Sequence, residues 1–451
     1  MTVQVEILET SELGDRSYVA HDGTVALVVD PQRDLDRVLG LVEEHGLRVV
    51  AVAETHLHND YVSGGRALAD ETGADYLVSA DDEVRFERLA VRDGDELTYG
   101  DLRVSVVATP GHTFHHLGFV VSDGDGPPAV FTGGSLLFGS VGRTDLLGEE
   151  HAEELTRHQY RSARRLDQML GEDARIFPTH GFGSFCSAGS ASGADSSTLG
   201  DERGSNDALT TSSEDEFVEN LLANLTAYPA YYAHMGARNA EGAAPPDLSP
   251  PEAVDAARLR ARLEAGEWVV DLRNRRAYAA GHVSGTVGIE LGSEQFSTYL
   301  GWLMPWGTPV TLIGSDEDEV ATAQRQMARI GIDRPAGAAV TPVEELAGGA
   351  ELESYRRVEF SDLEGGVDGE VLDVRQDDER EESAIPGSRH VPIHQVLERM
   401  GELPRDTTLF VHCASGFRAS IAASLLARAG HDVVLVDDEY AEAEKLGLTA
   451  S

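Results

Sequence analysis

TLFVHCASGFRASIAASLLARAG, residues 408–430, determines the fold at the C-terminal end of the chain. The apolar run TLFV is typical of a buried strand, and SIAASLLARAG is typical of a helix that ends at Gly430. Cys413 therefore lies in a tight loop between a strand and a helix. Backbone N–H groups of such a loop can bind an anion next to a helix N-terminus. Arg418 adds a positive charge, and both effects favour the nucleophilic thiolate over the thiol.

A related pattern occurs twice in the second half of the chain. Residues 268–291 read WVVDLRNRRAYAAGHVSGTVGIEL, and residues 370–393 read EVLDVRQDDEREESAIPGSRHVPI. Each is followed by a strand, a loop and a helical stretch, which indicates an internal duplication. In the first copy Gly314, Ser315 and Asp316 stand where the second copy has its cysteine and basic residue. We therefore expect a structural or substrate-presenting role for the first copy.

The second copy resembles the rhodanese family through LDVR (372–375), IPG (385–387) and CASGFR (413–418). The resemblance implies that Cys413 accepts a sulfane sulfur as a persulfide and passes it to a thiol or cyanide, with Arg418 as the second catalytic residue. We expect Ser415, Gly416 and Phe417 to contact the substrate. Cysteine phosphatases use a similar loop with one more residue, and the shorter loop suits a sulfur atom better than a phosphate. A buried structural cysteine is the alternative interpretation.

Histidines follow the strands of the N-terminal part. THLHNDYVSGG (55–65) follows the strand RVVAVAE, and TPGHT (109–113) and FPTHG (177–181) come later. Such positions allow side chains to converge, and imidazole nitrogens with a carboxylate bind zinc or iron. His115 and His116 are interpreted as ordinary surface or core residues. The predicted metal ligands are His56, His58, Asp60, His112 and His180.

From Met1 to about Gly183 the chain resembles the metallo-β-lactamase superfamily, through THLHND, TPGHT and PTHG. Within it, the persulfide dioxygenases and glyoxalase-II hydrolases are most similar, and GRTDL (142–146) resembles the dioxygenase branch. The resemblance implies an αββα sandwich with one Fe(II), or alternatively Zn(II). It also implies that the first H-x-H histidine, the PGH histidine and an aspartate hold the iron. His56 and His112 match the two histidines.

Two residues depart from the superfamily pattern. Gly134 stands where the aspartate is expected, and Tyr61 stands where a further histidine is usual. His58, Asp60 or water could complete the coordination of a single metal. A two-metal hydrolase site would lack both its bridging carboxylate and one terminal histidine. The pattern therefore favours a mononuclear site, and a metal-free domain is the alternative.

The composition is strongly acidic: 451 residues contain 36 Lys+Arg and 79 Asp+Glu, a formal net charge of −43. Because the acidic residues are spread along the whole chain, we interpret them as an adaptation to high salt in a halophilic host. Such a surface repels nucleic acid and anionic membranes, and no apolar run reaches the length of a membrane span. With no signal-like N-terminus and only Cys186 and Cys413, a cytoplasmic, reducing location is expected.

We predict an α/β protein with three domains. A metallo-β-lactamase sandwich spans residues 1–250 and includes a polar loop or lid at about 187–215. A rhodanese-like domain without cysteine follows at 251–350, and an active rhodanese domain at 351–451.

The expected function is metal-dependent persulfide dioxygenation coupled to sulfane-sulfur transfer at Cys413. A glyoxalase-II-like thioester hydrolase, or a metal-free sulfur carrier or sensor, is the alternative. The expected partners are a low-molecular-weight thiol persulfide or thiosulfate, and further copies of the chain in a homo-oligomer. Cys186 is interpreted as structural, with substrate contact as the alternative.

Overall fold

The computed structural model describes residues 3–124, 126–189, 193–292 and 295–450. They form two compact units, the first within residues 1–247 with 328–331, and the second within 248–327 with 332–451. Among the described residues, no helix combines the length and the apolar character needed to cross a lipid bilayer.

The first unit contains two six-stranded sheets. The first sheet consists, in spatial order, of β1 (Gln4–Thr10), β2 (Asp15–His21), β3 (Val25–Val29), β4 (Arg48–Ala53), β5 (Asp75–Ser79) and β6 (Leu89–Val91). The second sheet has the order β12-β11-β10-β9-β8-β7. Its strands are β7 (Glu96–Tyr99), β8 (Leu102–Ala108), β9 (Leu117–Ser122), β10 (Ala129–Gly133), β11 (Arg175–Pro178) and β12 (Ser197–Thr198).

Seven helices accompany these sheets in the described part of the first unit. They are α1 (Asp36–Glu44), α2 (Gly65–Thr72), α3 (Glu149–Met169), α4 (Leu199–Ser205), α5 (Asp207–Thr210), α6 (Glu214–Ala223) and α7 (Tyr232–Glu241).

The two sheets pack face to face through alternate strand residues. Leu27 and Val29 of the first sheet belong to the same buried core as Phe119 and Phe131 of the second. Burying such a side chain contributes about 1.5–3 kcal/mol relative to leaving it exposed, so the inner faces hold the sheets together.

Helices cover the outer faces. Val38 of α1 and Leu68 of α2 pack on the first sheet, whereas Leu166 of α3 and Phe217 of α6 pack on the second. The αββα sandwich predicted from the sequence is therefore confirmed.

Strand direction brings the histidine motifs together. β3 and β4 are parallel, and so are β10 and β11. β9 is antiparallel to both β8 and β10, so β8 runs in the same direction as β10 and β11. Parallel strands end at the same edge of a sheet, and the histidine motifs follow the ends of β4, β8 and β11.

The polar segment at about 187–215 differs from the predicted loop, because it contains β12, α4 and α5. Thr198 and Asp201 form a reciprocal capping box at the start of α4. Leu199 and Ala208 are fully buried against the second sheet. Capping and a few apolar anchors thus order a segment whose composition suggested a loop. Ser190, Ala191 and Ser192, which fall within this predicted segment, lie outside the described residues.

The second unit contains two parallel sheets. The first has the order β14-β13-β15-β16 and consists of β13 (Trp268–Asp271), β14 (Val287–Gly288), β15 (Val310–Ile313) and β16 (Gly337–Ala339). The other has the order β17-β21-β20-β18-β19 and consists of β17 (Arg356–Val358), β18 (Glu370–Asp373), β19 (Arg389–His390), β20 (Leu409–His412) and β21 (Val433–Val436).

Helices alternate with these strands. They are α8 (Ala256–Glu264), α9 (Arg275–Ala280), α10 (Phe296–Leu303), α11 (Glu317–Arg329), α12 (Val343–Leu346), α13 (Asp377–Glu382), α14 (Val396–Arg399), α15 (Phe417–Arg428) and α16 (Tyr440–Lys445). Three short 3₁₀ helices, Phe360–Leu363, Ile393–Gln395 and Met400–Glu402, complete the described elements.

The two parallel sheets repeat one topology. Taken in chain order within each repeat, the strands β13 to β16 and the strands β18 to β21 both have the spatial order 2-1-3-4. The repeated D-x-R motif has the same role in both. Arg273 donates to Asp271 at 2.7 Å and to the carbonyl of Gly281 at 2.9 Å. Arg375 donates to Asp373 at 2.8 Å and to the carbonyl of Ser383 at 2.7 Å. Strand order and ion pair together support the internal duplication.

Candidate metal centre and cysteine loop

Four buried imidazoles meet at the shared edge of the two sheets in the first unit. The ring centre of His56 lies 4.1 Å from that of His58, 4.8 Å from that of His112 and 5.4 Å from that of His180. The rings of His112 and His180 are 5.3 Å apart. All four side chains are essentially inaccessible to solvent. The structure thus brings together the four histidines that the sequence predicts as ligands.

His180 is oriented by two buried carboxylates. Its Nδ1 donates to Asp15 at 2.9 Å and lies 3.2 Å from Asp60. Burial, followed by the charge of Asp60, raises the pKa of Asp15. Burial also opposes ionisation of Asp60, but the charge and hydrogen bond of His180 outweigh it and lower the pKa of Asp60. Asp60, predicted as a metal ligand, therefore contacts Nδ1 of His180, whereas Nε2 of that ring faces Nε2 of His56.

His56 and His112 are held as neutral imidazoles. Nδ1 of His112 donates to the carbonyl of Arg143 at 2.7 Å, so Nε2 carries the lone pair. That Nε2 is buried and has no hydrogen-bond partner among the described residues. Burial, reinforced by the charge of His180, lowers the pKa of His112 to about 3. Burial and neighbouring imidazoles likewise lower the pKa of His56. A neutral imidazole with a free nitrogen is the form that binds a metal.

His58 faces a different set of groups. Its Nε2 lies 3.3 Å from both Asp30 and Glu54, and 3.0 Å from the hydroxyl of Tyr61. Burial would lower the pKa of His58, but the two carboxylates outweigh it and raise that pKa to about 9. Its Nδ1 is buried without a hydrogen-bond partner in the described part of the chain. His58 therefore pairs with the carboxylates through Nε2, and its Nδ1 becomes a ligand only when metal binding displaces the proton that the raised pKa keeps on the ring.

The spacing of two imidazole nitrogens fits a single metal ion. The Nε2 atoms of His56 and His180 are 3.4 Å apart. Two imidazoles bound at ~2.0–2.1 Å to one tetrahedral ion would have their nitrogens about 3.3 Å apart. The carboxylates of Asp15 and Asp60 contact Nδ1 of His180 and would orient its ring, as carboxylates usually do for metal-binding histidines. The residues present therefore fit a divalent transition metal, with ligands drawn from His56, His58, His112 and His180.

Gly134 occupies the position where the resemblance expects an aspartate. Its N–H donates to Nε2 of His116 at 3.0 Å, and Thr109 lies 2.9 Å from the other nitrogen of that ring. His116 therefore uses both nitrogens to support the Gly134 turn, beyond the ordinary core role expected from the sequence. A Cβ at position 134 would lie 2.4 Å from Cδ2 of His112. The ring of His112 thus fills the space that a side chain at 134 would need.

The second site surrounds Cys413, which follows β20 and precedes α15, as predicted. The thiol is almost fully buried. Gly416 adopts a φ of +85°, a conformation that favours glycine and lets the loop turn directly into α15. The first N–H groups of a helix lack intrahelical acceptors, so they are available to an anion near Cys413.

Arg418 is paired with a carboxylate. Its guanidinium donates two hydrogen bonds to Glu379 of α13, one of them at 2.7 Å. Burial would raise the pKa of Glu379, but the bonds to Arg418 hold it below its usual value. The positive charge predicted beside Cys413 is therefore balanced. Stabilisation of a thiolate depends on the loop N–H groups and the helix N-terminus.

The first repeat of the second unit contributes to this loop. Arg275 of α9 donates to the carbonyl of Ser415 at 3.2 Å and to Asp437 at 2.6 Å. Tyr299 of α10 packs edge-on against Phe417, with ring centres 5.7 Å apart. Burial, with the charge of Cys413 adding to it, raises the pKa of Tyr299 to about 12. The repeat without a cysteine therefore supports the loop of the other.

Several residues at these sites were not identified from the sequence. Asp15 begins β2, and Asp30 and Glu54 directly follow β3 and β4, so a carboxylate at a strand end was the available signal. Glu379 and Tyr299 have no comparable signal, because their positions depend on how helices pack around the loop.

Comparisons with known proteins agree with this architecture. Residues 15–180 match the family model of the metallo-beta-lactamase superfamily, and residues 358–445 match that of the rhodanese-like domain. A crystal structure of a metallo-beta-lactamase from Staphylococcus aureus superposes with a TM-score of 0.67 at 28% identity. The match covers 75% of this chain and 99% of that one.

Relatives of known name match part of the chain. The human mitochondrial persulfide dioxygenase ETHE1 is 30% identical over 215 residues, which cover 47% of this chain and 75% of that protein. The bovine protein of the same name is 32% identical over 213 residues, 46% of this chain and 73% of that protein. A hydroxyacylglutathione hydrolase from Albidiferax ferrireducens is 32% identical over 126 residues, 28% of this chain and 49% of that protein. The chain therefore belongs to the metallo-beta-lactamase superfamily, in the family of the persulfide dioxygenase ETHE1, and carries a rhodanese-like domain at its C-terminal end.

Proposed function

We propose that this protein is a sulfur-metabolising enzyme that oxidises a low-molecular-weight persulfide in its first unit and transfers sulfane sulfur at Cys413 in its second. The observation that carries the proposal is the presence, in one chain, of a buried histidine cluster of the persulfide dioxygenase family and a rhodanese-like cysteine loop. Both sites act on sulfane sulfur, so a persulfide formed by transfer at Cys413 can be the substrate that the first unit oxidises.

Sulfur transfer follows from the loop around Cys413. The thiolate attacks the outer sulfur of a persulfide or thiosulfate, and a new S–S bond forms at Cys413. The donor's own S–S bond breaks, and its electron pair leaves with the thiol or sulfite. An acceptor thiolate then attacks the sulfane sulfur and releases the Cys413 thiolate. The loop N–H groups stabilise negative charge in both steps.

The first unit would hold a single metal through its free imidazole nitrogens. When bound, Fe(II) would supply open coordination positions for persulfide and O2. In the overall reaction, one persulfide, one O2 and one water give one thiol, one sulfite and two protons. Asp15 and Asp60 hold the Nδ1 proton of His180. The carbonyl of Arg143 fixes the tautomer of His112. These contacts keep the free nitrogens in place.

The test separates the two sites. Iron-loaded protein is assayed for O2 uptake and sulfite release with glutathione persulfide, and for sulfur transfer from thiosulfate to a thiol. His56→Ala should lose O2 uptake and retain sulfur transfer. Cys413→Ala should lose sulfur transfer and retain O2 uptake. Loss of both activities in either variant would show that the sites do not work independently.

The outcomes also distinguish the alternative functions. Thiol release from a hydroxyacylglutathione without O2 uptake would favour a thioester hydrolase. Purified protein without stoichiometric iron, zinc or manganese, but with transfer at Cys413, would favour a sulfur carrier or sensor. Sulfur transfer that survives Cys413→Ala would refute the rhodanese assignment.

A further inference from the structure

A second buried thiol lies beside the histidine cluster of the first unit. Cys186 follows His180 by six residues and is fully buried. Its carbonyl accepts the N–H of Arg143 at 2.9 Å, and its own N–H donates to the hydroxyl of Ser184 at 3.2 Å. The backbone of Cys186 is therefore fixed relative to the segment that orients His112.

The thiol and two imidazoles converge on one point. Sγ of Cys186, one nitrogen of His112 and one nitrogen of His180 lie within 4.8 Å of one another. The Nδ1 atom of each imidazole is already engaged, by the Arg143 carbonyl and by the carboxylates respectively. The free Nε2 of His112 is fully buried and has no hydrogen-bond partner within the described residues. An unpaired buried acceptor costs free energy unless a ligand occupies the space in front of it.

The position of the family carboxylate is closed in this chain. A Cβ on Gly134 would contact Cδ2 of His112 at 2.4 Å and Cγ at 2.6 Å. Because His112 is fixed by its hydrogen bond to Arg143, no side chain at 134 reaches the cluster without displacing a ligand. A thiolate carries the same charge as a carboxylate, so Cys186 can restore the charge that Gly134 removes.

We propose that the thiolate of Cys186 replaces the missing carboxylate and, with His112 and His180, binds a divalent transition metal. The proposal rests on the proposed function in so far as both require a metal in the first unit. The thiol proton is released to solvent when the metal binds. Thiolate and imidazole ligands select zinc, iron or cobalt over magnesium and calcium. His56, whose Nε2 is 3.4 Å from that of His180, adjoins the same point.

Cobalt(II) tests the assignment without relying on activity. Full-length metal-free protein is titrated with cobalt, the absorption spectrum is recorded in the near ultraviolet, and bound metal is counted by mass spectrometry. A thiolate ligand gives a sulfur-to-cobalt charge-transfer band, which imidazole and carboxylate ligands do not give. The wild-type protein should show this band at one cobalt per chain. Cys186→Ser should lose it.

Cys413→Ser is the matched control, because it makes the same change at the other cysteine of the chain. It should retain the band. Retained sulfur transfer by Cys186→Ser establishes that the second unit of this variant is folded, and circular dichroism establishes the fold of the first.

The outcomes separate this inference from the proposed function. Cobalt bound by the wild-type protein without the band, or a band that survives Cys186→Ser, would overturn the inference and leave the oxidation of a persulfide intact. A protein that binds no cobalt would also overturn it. A thiolate-bound metal in a protein without O2 uptake on a persulfide would overturn the oxidation and leave the Cys186 assignment standing.

Discussion

Gly134→Ala adds one methyl group at the place where the ring of His112 fills the space beside the backbone. The added carbon would lie 2.4 Å from Cδ2 of that ring. Gly134 does not have a positive φ, so the effect of the substitution is steric and not a matter of backbone strain. The clash can be relieved only by moving the turn at 134 or the imidazole of His112.

The expected loss of stability follows from these two ways of relieving the clash. Overpacking a buried site by a methyl group costs about 1–3 kcal/mol. Moving the ring breaks the 2.7 Å hydrogen bond from His112 to the carbonyl of Arg143, which costs about 1–3 kcal/mol. Because these are alternatives, the free energy of unfolding of the first unit should fall by about 1–3 kcal/mol. For a unit of this size that lowers the Tm by about 2–12 °C.

The assay is calorimetry of metal-free, full-length protein, with Gly40→Ala as the matched control. Gly40 lies on the exposed face of α1, and a Cβ there would meet no atom within 4 Å. Alanine in a helix is about 0.5–1 kcal/mol more favourable than glycine, so this variant should raise the Tm by about 1–4 °C. The transition that moves in the control is that of the first unit.

A Gly134→Ala protein as stable as the wild type would refute the closure of the space beside His112. Tighter metal binding by Gly134→Asp than by the wild type would refute it as well, because a carboxylate would then fit beside that ring.

Three further outcomes are expected. Burial lowers the pKa of His412 from 6.5 to about 4, so the unfolded chain takes up a proton that the folded chain does not as the pH falls through this range. Urea unfolding should show the second unit losing about 3 kcal/mol between pH 6.5 and pH 4, with no such loss above pH 6.5; an equally steep loss in His412→Phe would contradict this. Glu379→Ala should cost about 1–3 kcal/mol of stability, because it leaves the guanidinium of Arg418, whose side chain is 13% exposed, without its carboxylate partner. Glu402→Ala, which removes the exposed ion-pair partner of Arg399, should change the free energy of unfolding by no more than about 0.5 kcal/mol in the same urea experiment. Equal losses of stability in the two variants would refute the difference between the buried and the exposed ion pair. Iron or zinc at 100 times its Kd should stabilise the first unit by about 2.7 kcal/mol and raise its Tm by about 5–11 °C. A chelator should reverse this shift. A Tm shift confined to the unfolding transition of the second unit would show that the metal binds there instead.

The elements that could be predicted are those determined by local pattern. A short apolar run predicts the strand before Cys413, and a longer apolar run ended by a glycine predicts the helix after it. The convergence of the histidine motifs follows from strand ends, which parallel pairing places at one edge. The capping pattern at Thr198 was present in the sequence, but polar composition around it favoured a loop.

The remaining features depend on contacts between distant parts of the chain. Glu379 is one of 79 acidic residues, and nothing local distinguishes it as the partner of Arg418. The closure of the space beside Gly134 depends on the orientation of His112, which is set by a carbonyl 31 residues away in sequence. The predicted boundaries of the three domains stay a prediction, since the structure groups both repeats in one compact unit.

The hydrogen bonds from Arg275 to Ser415 and Asp437 have a practical consequence for anyone who wishes to isolate the sulfur-transfer activity. A fragment that begins at residue 351 has the cysteine, the arginine and every strand of its own sheet. It lacks the guanidinium of Arg275 that donates to the carbonyl of Ser415, and it leaves Asp437 with Arg357 but without Arg275 and Arg276. A fragment in which Cys413 keeps these contacts therefore has to include α9, and the repeat without a nucleophile has to be expressed with it.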